Sequence, residues 1–298
     1  TSTLFPYTTL FRSRGPEKKS GPRPSGETPS SRRRTARFAG SAFGLALRPV
    51  GRGVLAACGI MGGMTLLQVR ILRAMVPPTF DYDETLRQMH KVGVLSLPVV
   101  VMTSLFVGAL MLVQTGNFVR DTGATAMVGW ATGIAVLSEV GPVLIGLMFS
   151  GRVGANNTAE LGTMIVTEQV DALRLLGIDP VRHLVVPRFV SMCLMLVLLT
   201  CIGDLFALFG ASIASQAIVG IDMRVFWQGL LDGHLADEFV MGLVKGFFFG
   251  GAISIVSCHF GLRVRGGAEG VGRAVNDSVV TAAIAIFVVN FLVTMLWV

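Results

Sequence analysis

Residues 139–188 read EVGPVLIGLMFSGRVGANNTAELGTMIVTEQVDALRLLGIDPVRHLVVPR. The stretch begins apolar, turns polar at Gly151-Arg152, stays polar and helix-forming to about Leu176, and closes on Pro187-Arg188 before another apolar run. A polar segment wedged between two long apolar runs decides the fold. The flanking runs read as membrane spans, and the segment between them must lie in water or at the interface.

Composition agrees with that reading. The 298 residues are 52% hydrophobic and 14% charged, and their mean hydropathy of +0.68 is too high for a soluble globular chain. The fold expected is an all-α polytopic membrane protein. A helix needs about 20 apolar residues to cross a hydrocarbon core of about 30 Å. Residues 92–119 and 278–298 carry no Lys, Arg, Asp or Glu; 122–151 is interrupted only by Glu139, 189–221 only by Asp204, and 239–262 only by Lys245. Five spans are expected, at about 93–116, 125–151, 184–214, 239–261 and 277–298. The Gly-rich stretch 53–69, flanked by Arg52 and Arg70, is short for a crossing. It reads as an interfacial helix within an amphipathic region at 48–91, with a sixth span as the alternative.

Lys and Arg crowd one side of this topology. Ten of them fall between Arg32 and Lys91; Arg152, Arg174, Arg182 and Arg188 lie between the second and third spans, and Arg263, Arg265 and Arg273 between the fourth and fifth. The opposite loops hold only Arg120 and Arg224 against five acidic residues. A cytoplasmic N-terminus and a periplasmic C-terminus follow. The net charge of +7 is therefore read as topology and anionic headgroups, not as a nucleic-acid site.

Residues 1–47, rich in Ser, Pro, Gly and Arg, read as a disordered or artefactual arm. Thr1 to Ser13 looks like translated sequencing adapter, which would place the native start as late as Met61 or Met64, and the arm lacks the apolar core of a signal peptide. Cys58, Cys193, Cys201 and Cys258 fall in apolar stretches without metal-ligand spacing and read as buried free thiols. The four histidines form no hydrolytic or metal motif, and nothing matches a phosphate-binding GxxxxGK[ST] loop. The glycines of RGGAEGVGR at 265–273 have no preceding strand. If ATP is used, a partner binds it.

Asn156, Asn157 and Thr158 offer N-cap chemistry, and a helix is expected over about 158–177, closed by Gly177 and Pro180. Leu161, Met164, Ile165, Glu168, Ala172, Leu175 and Leu176 share one face of it. Such a helix can lie on the membrane or dock into a groove on a soluble domain.

The run Glu139, Gly141, Pro142, Gly151, Arg152, Gly154, Thr158, Ala159, Glu160, Gly162, Thr167, Glu168, Gln169, Gly177, Asp179, Pro180, Pro187, Arg188 resembles the signature of MlaE/YrbE-family ABC transporter permeases. The resemblance extends from about Leu86 to the C-terminus. It implies a homodimeric, non-enzymatic permease of the bacterial inner membrane with five spans and an interfacial helix per subunit. Such a permease moves phospholipid to or from an MCE-domain shuttle, with room for a small STAS-domain protein. ATP would be hydrolysed by separate ATPase subunits, and this chain would bind no cofactor. The 158–177 segment becomes a coupling helix, with Glu160, Glu168 and Asp171, together with Arg152 and Arg174, as polar contacts to the ATPase.

Charges inside spans are costly and face a partner or a cavity. At about 1.5 Å per residue, Glu139, Asp204 and Lys245 all fall in or near the outer third of the core, so Lys245 can neutralise either carboxylate or both. They are read either as a structural ion pair or as the polar lining of a cavity that meets a lipid headgroup. An ion-coupled secondary transporter and a non-transporting scaffold are the rival functions, although five spans without an inverted repeat fit the former poorly.

Overall fold

The computed structural model describes residues 42–75, 82–122 and 127–297. The described residues from Val54 onward form one compact unit. Of the arm expected at 1–47, positions 1–41 lie outside the described residues, while 42–47 open a helix.

All regular structure among the described residues is helical. In chain order it comprises α1 (Ala42–Ala74), α2 (Tyr82–Met89), α3 (Leu97–Thr122), α4 (Val128–Ile134), α5 (Gly141–Phe149), α6 (Ala155–Val166), α7 (Gln169–Leu175), α8 (Val186–Ala214), α9 (Met223–Asp232), α10 (Ala236–Gly261) and α11 (Gly267–Trp297). Wider π-helical turns join several of these end to end. Five continuous helices are long and apolar enough to cross a membrane: Asp83–Gly116, Val128–Val166, Val181–Val219, Ala236–Gly261 and Gly267–Trp297. The second and third have 39 residues each, about 58 Å of helix, and so run well beyond a hydrocarbon core of about 30 Å.

Lipid tails are as apolar as leucine, so close packing and internal hydrogen bonds, and not escape from water, hold the spans together. The central layer buries Ile145 and Phe149 of the second span, Leu196 and Leu199 of α8, Phe249 and Ile253 of α10, and Ile286 of α11. α8 packs along both α3 and α10. Its approach to α3 depends on a reciprocal pair of glycines. A Cβ on Gly108 would overlap the Ala207 carbonyl, and one on Gly210 would overlap the Leu105 carbonyl.

Two of the π-turns have a sequence cause. Pro142 has no amide hydrogen, so the carbonyl four residues earlier, at Ser138, loses its helical donor, and the backbone widens over Ala135–Val140. Pro187 stands in the same relation to the turn at Val181–Val185.

The helix expected over 158–177 is divided. Residues 155–166 are α6, the end of the second span, with helical backbone already at Gly154. Asn157 and Thr158 are buried mid-helix residues, so they are not an N-cap. The helix stops at Thr167, Glu168 adopts a left-handed conformation (φ 59), and α7 restarts at Gln169. Two effects break it. The hydroxyls of Thr163 and Thr167 bond back to carbonyls four residues earlier, which weakens the helical ladder. The reversal also buries Val170 against Leu161, Leu184 and, from α1, Leu67 and Ile71. Leu175 and Leu176, expected on the same face as Leu161, are instead 90% and 74% exposed. Of the four thiols, Cys193 and Cys258 are buried, Cys201 is half-buried and Cys58 is exposed, so burial does not extend to all four.

Candidate functional site

Two polar constellations interrupt the apolar bundle. The first lies where the second, fourth and fifth spans meet. Lys245 of α10 has no exposed surface. Its ammonium donates to Glu139 Oε1 at 2.7 Å and to the Ser138 carbonyl at 2.7 Å, the acceptor that Pro142 leaves free. Glu139 also accepts from Asn290 Nδ2 at 2.8 Å and Thr294 Oγ1 at 2.9 Å, both on α11. The carboxylate is thus held by donors from two spans while its side chain keeps 41% of its surface exposed. Asn290 and Thr294 had no motif to announce them; their i,i+4 spacing on the last span is the only trace in the sequence.

Asp204 does not join this pair. It is fully buried in α8, and neither carboxylate oxygen has a hydrogen-bond partner among the described residues. Oδ1 lies against the Gly141 backbone, in space that a Cβ at Gly141 would fill. Lys245 and Asp204 therefore flank the same π-turn from different helices, and Lys245 takes Glu139.

The second constellation lies at the end of the bundle where the arginines gather. Arg188, 4% exposed, donates to Asn157 Oδ1 at 2.8 Å, and its Nη2 lies 3.6 Å from Glu160 Oε1. Asn157 passes the chain on to Ser257 Oγ at 2.7 Å, and Thr158 bonds Ser278 Oγ at 2.8 Å. Lys91 reaches Glu160 Oε2 at 2.8 Å. The network ties the foot of the second span to the starts of the first, third and fifth and to the end of the fourth.

The five residues expected to meet an ATPase therefore separate into two groups. Glu160 is engaged inside the chain by Lys91 and Arg188. Arg152 lines a pocket beside it and has no ion-pair partner among the described residues. Glu168, Asp171 and Arg174 sit at the α6–α7 reversal, where Asp171 and Arg174 pair with each other at 2.8 Å in full view of solvent. Leu175 and Leu176 project from the end of α7, with Ile178 just beyond.

Five spanning helices with a charged pair inside the bundle define a multi-pass membrane protein. The family described as Permease MlaE matches residues 85–296, and the chain belongs to that family. A probable ABC transporter permease protein of Rickettsia felis is 34% identical over 248 residues, 83% of this chain and 96% of the relative. One from Synechocystis sp. is 38% identical over 213 residues, 71% of this chain and 81% of the relative. The chloroplastic protein TRIGALACTOSYLDIACYLGLYCEROL 1 of Arabidopsis thaliana is 33% identical over 238 residues, 79% of this chain and 65% of the relative.

Proposed function

We propose that this chain is the membrane-spanning permease subunit of an ATP-driven phospholipid transporter of the bacterial inner membrane. It acts as a homodimer with separate ATPase subunits and an MCE-domain lipid carrier, and a small STAS-domain protein is a compatible further partner. The chain itself binds no cofactor, and the partner ATPase uses the ATP. The N-terminus is cytoplasmic, the C-terminus periplasmic, and α1 lies at the interface.

The observation that carries the lipid reading is the Lys245–Glu139 pair. A fully buried ammonium is fixed to a carboxylate that remains 41% exposed, so polar groups are presented from within an apolar bundle, as an amphiphile's headgroup requires. The Arabidopsis relative, whose name contains that of a galactolipid, supports a lipid cargo. Glu139 would face the headgroup in a cavity, held from within the bundle by Lys245, with Asp204 behind the same turn. At the other end, Leu175 and Leu176 beside the Asp171–Arg174 pair offer an apolar tip with a polar collar, which suits insertion into a groove on the ATPase. Glu168 belongs to that contact, whereas Glu160, held by Lys91 and Arg188, supports it from inside the chain.

The test is ATP-dependent movement of a fluorescent phospholipid in proteoliposomes holding the permease with its ATPase. Lys245→Ala should lower the rate about tenfold, the loss expected when one charge-assisted contact is removed. An assembled Lys245→Ala complex that moves lipid at the wild-type rate would remove the headgroup role.

A further inference from the structure

Between the start of the first span, the foot of the second and Met192 of the third lies a pocket of about 340 Å³ that the proposed transport route does not use. We infer that it is a binding site for the phosphate of an anionic phospholipid headgroup, distinct from the Glu139–Lys245 cluster at the far end of the bundle.

Charge is the first argument. Lys91 and Arg152 line the pocket, and Arg188 stands behind it, holding the lining residues Asn157 and Glu160. Three cations thus face one carboxylate. Glu160 is spent on Lys91 and Arg188, which leaves Arg152 without an ion-pair partner among the described residues. An ammonium has three donors, and Lys91 gives only one of them to Glu160.

A separate observation points to a ligand. Ser96 lines the same pocket, is 4% exposed, and its hydroxyl has no hydrogen-bond partner among the described residues. A buried hydroxyl left unpaired costs free energy unless something bonds it. A phosphate oxygen held by Arg152 would satisfy it.

Depth favours a lipid as the source of that phosphate. Lys91 lies 25 residues before the end of the first span at Gly116, and Arg152 lies 24 residues after the start of the second at Val128. Both distances are about 37 Å of helix, beyond a core of about 30 Å and within the headgroup layer. Basic pockets between spans at the cytoplasmic side are a known mode of anionic headgroup recognition.

The experiment uses the full chain in detergent. Native mass spectrometry counts retained dihexanoyl phosphatidylglycerol, with dihexanoyl phosphatidylcholine and inorganic phosphate as separate probes. Wild type should retain phosphatidylglycerol about tenfold better than phosphatidylcholine, Arg152→Gln should abolish that preference, and Ser96→Ala should weaken retention severalfold. Arg273→Gln, which removes a charge from the same end outside the pocket, should retain lipid as wild type does. Equal retention by Arg152→Gln and wild type overturns the site, as does an equal loss in Arg273→Gln. Displacement of phosphatidylglycerol by millimolar inorganic phosphate overturns the lipid source in favour of a free-phosphate site. If Arg152→Gln fails to assemble, Ser96→Ala decides alone, and unchanged retention there overturns the proposal.

Discussion

At the scale of single residues, the Lys245–Glu139 pair is asymmetric, and the asymmetry predicts how it breaks. Lys245 has no exposure and Glu139 keeps 41%. Removing the carboxylate strands a buried ammonium, whereas removing the ammonium leaves a carboxylate that still has Asn290, Thr294 and an open side. Glu139→Gln should therefore cost about 3–5 kcal/mol of unfolding free energy in detergent, more than Lys245→Met, and the double variant should recover much of the loss. A double variant no better than Glu139→Gln would show that the pair is not coupled in this way. The pair was legible in the sequence because so few charges enter the spans that each stands out. Its companions were not, because Asn290 and Thr294 become meaningful only when α11 packs beside a carboxylate some 150 positions earlier. Asn157 and Thr158 misled for a related reason. A local Asn-Asn-Thr reads as a cap, and only Ser257 and Ser278, about a hundred residues away, make it a buried polar layer.

At the scale of elements, two helix contacts can be tested. The α3–α8 approach leaves no room for a methyl group at Gly108 or Gly210, since each faces a backbone carbonyl that cannot move aside. Gly108→Ala should push the helices apart at a cost of about 1–3 kcal/mol, read from the unfolding midpoint. A midpoint equal to wild type would mean that α3 and α8 are not so closely apposed. At the α6–α7 reversal, Glu168 holds a left-handed backbone, which is strained for any residue with a Cβ and worst for a β-branched one. Glu168→Gly should unfold at the wild-type midpoint or above it, and Glu168→Val clearly below. An equal fall in both would assign the effect to the lost side chain. This reversal was hidden because Thr163 to Leu176 has continuous helical spacing. What overrides it is the burial of Val170 against residues of three other helices, a tertiary demand that no local window contains.

At the scale of the whole molecule, the five spans were readable as apolar runs of sufficient length, and the family followed from the ordered run between Glu139 and Arg188. What the bundle does is divided between its ends, with a charged pair inside the spans at one and a buried Arg188 network leading to the α7 tip at the other. The network should act as the rigid base of that tip. Arg188→Met leaves Asn157 Oδ1 without its donor and Glu160 with one cation fewer, and should cost about 3–5 kcal/mol. Unfolding in detergent checks this, and an unchanged midpoint would remove the network from the account. The central claim is that this chain seats an ATPase through the α6–α7 reversal. It is tested most directly by co-purifying the tagged full chain with the products of its neighbouring genes, comparing wild type with Glu168→Lys and Leu175→Asp. The account predicts an ATPase retained by wild type and lost from both variants at unchanged permease yield; an ATPase absent from wild type, or retained equally by all three, would contradict it.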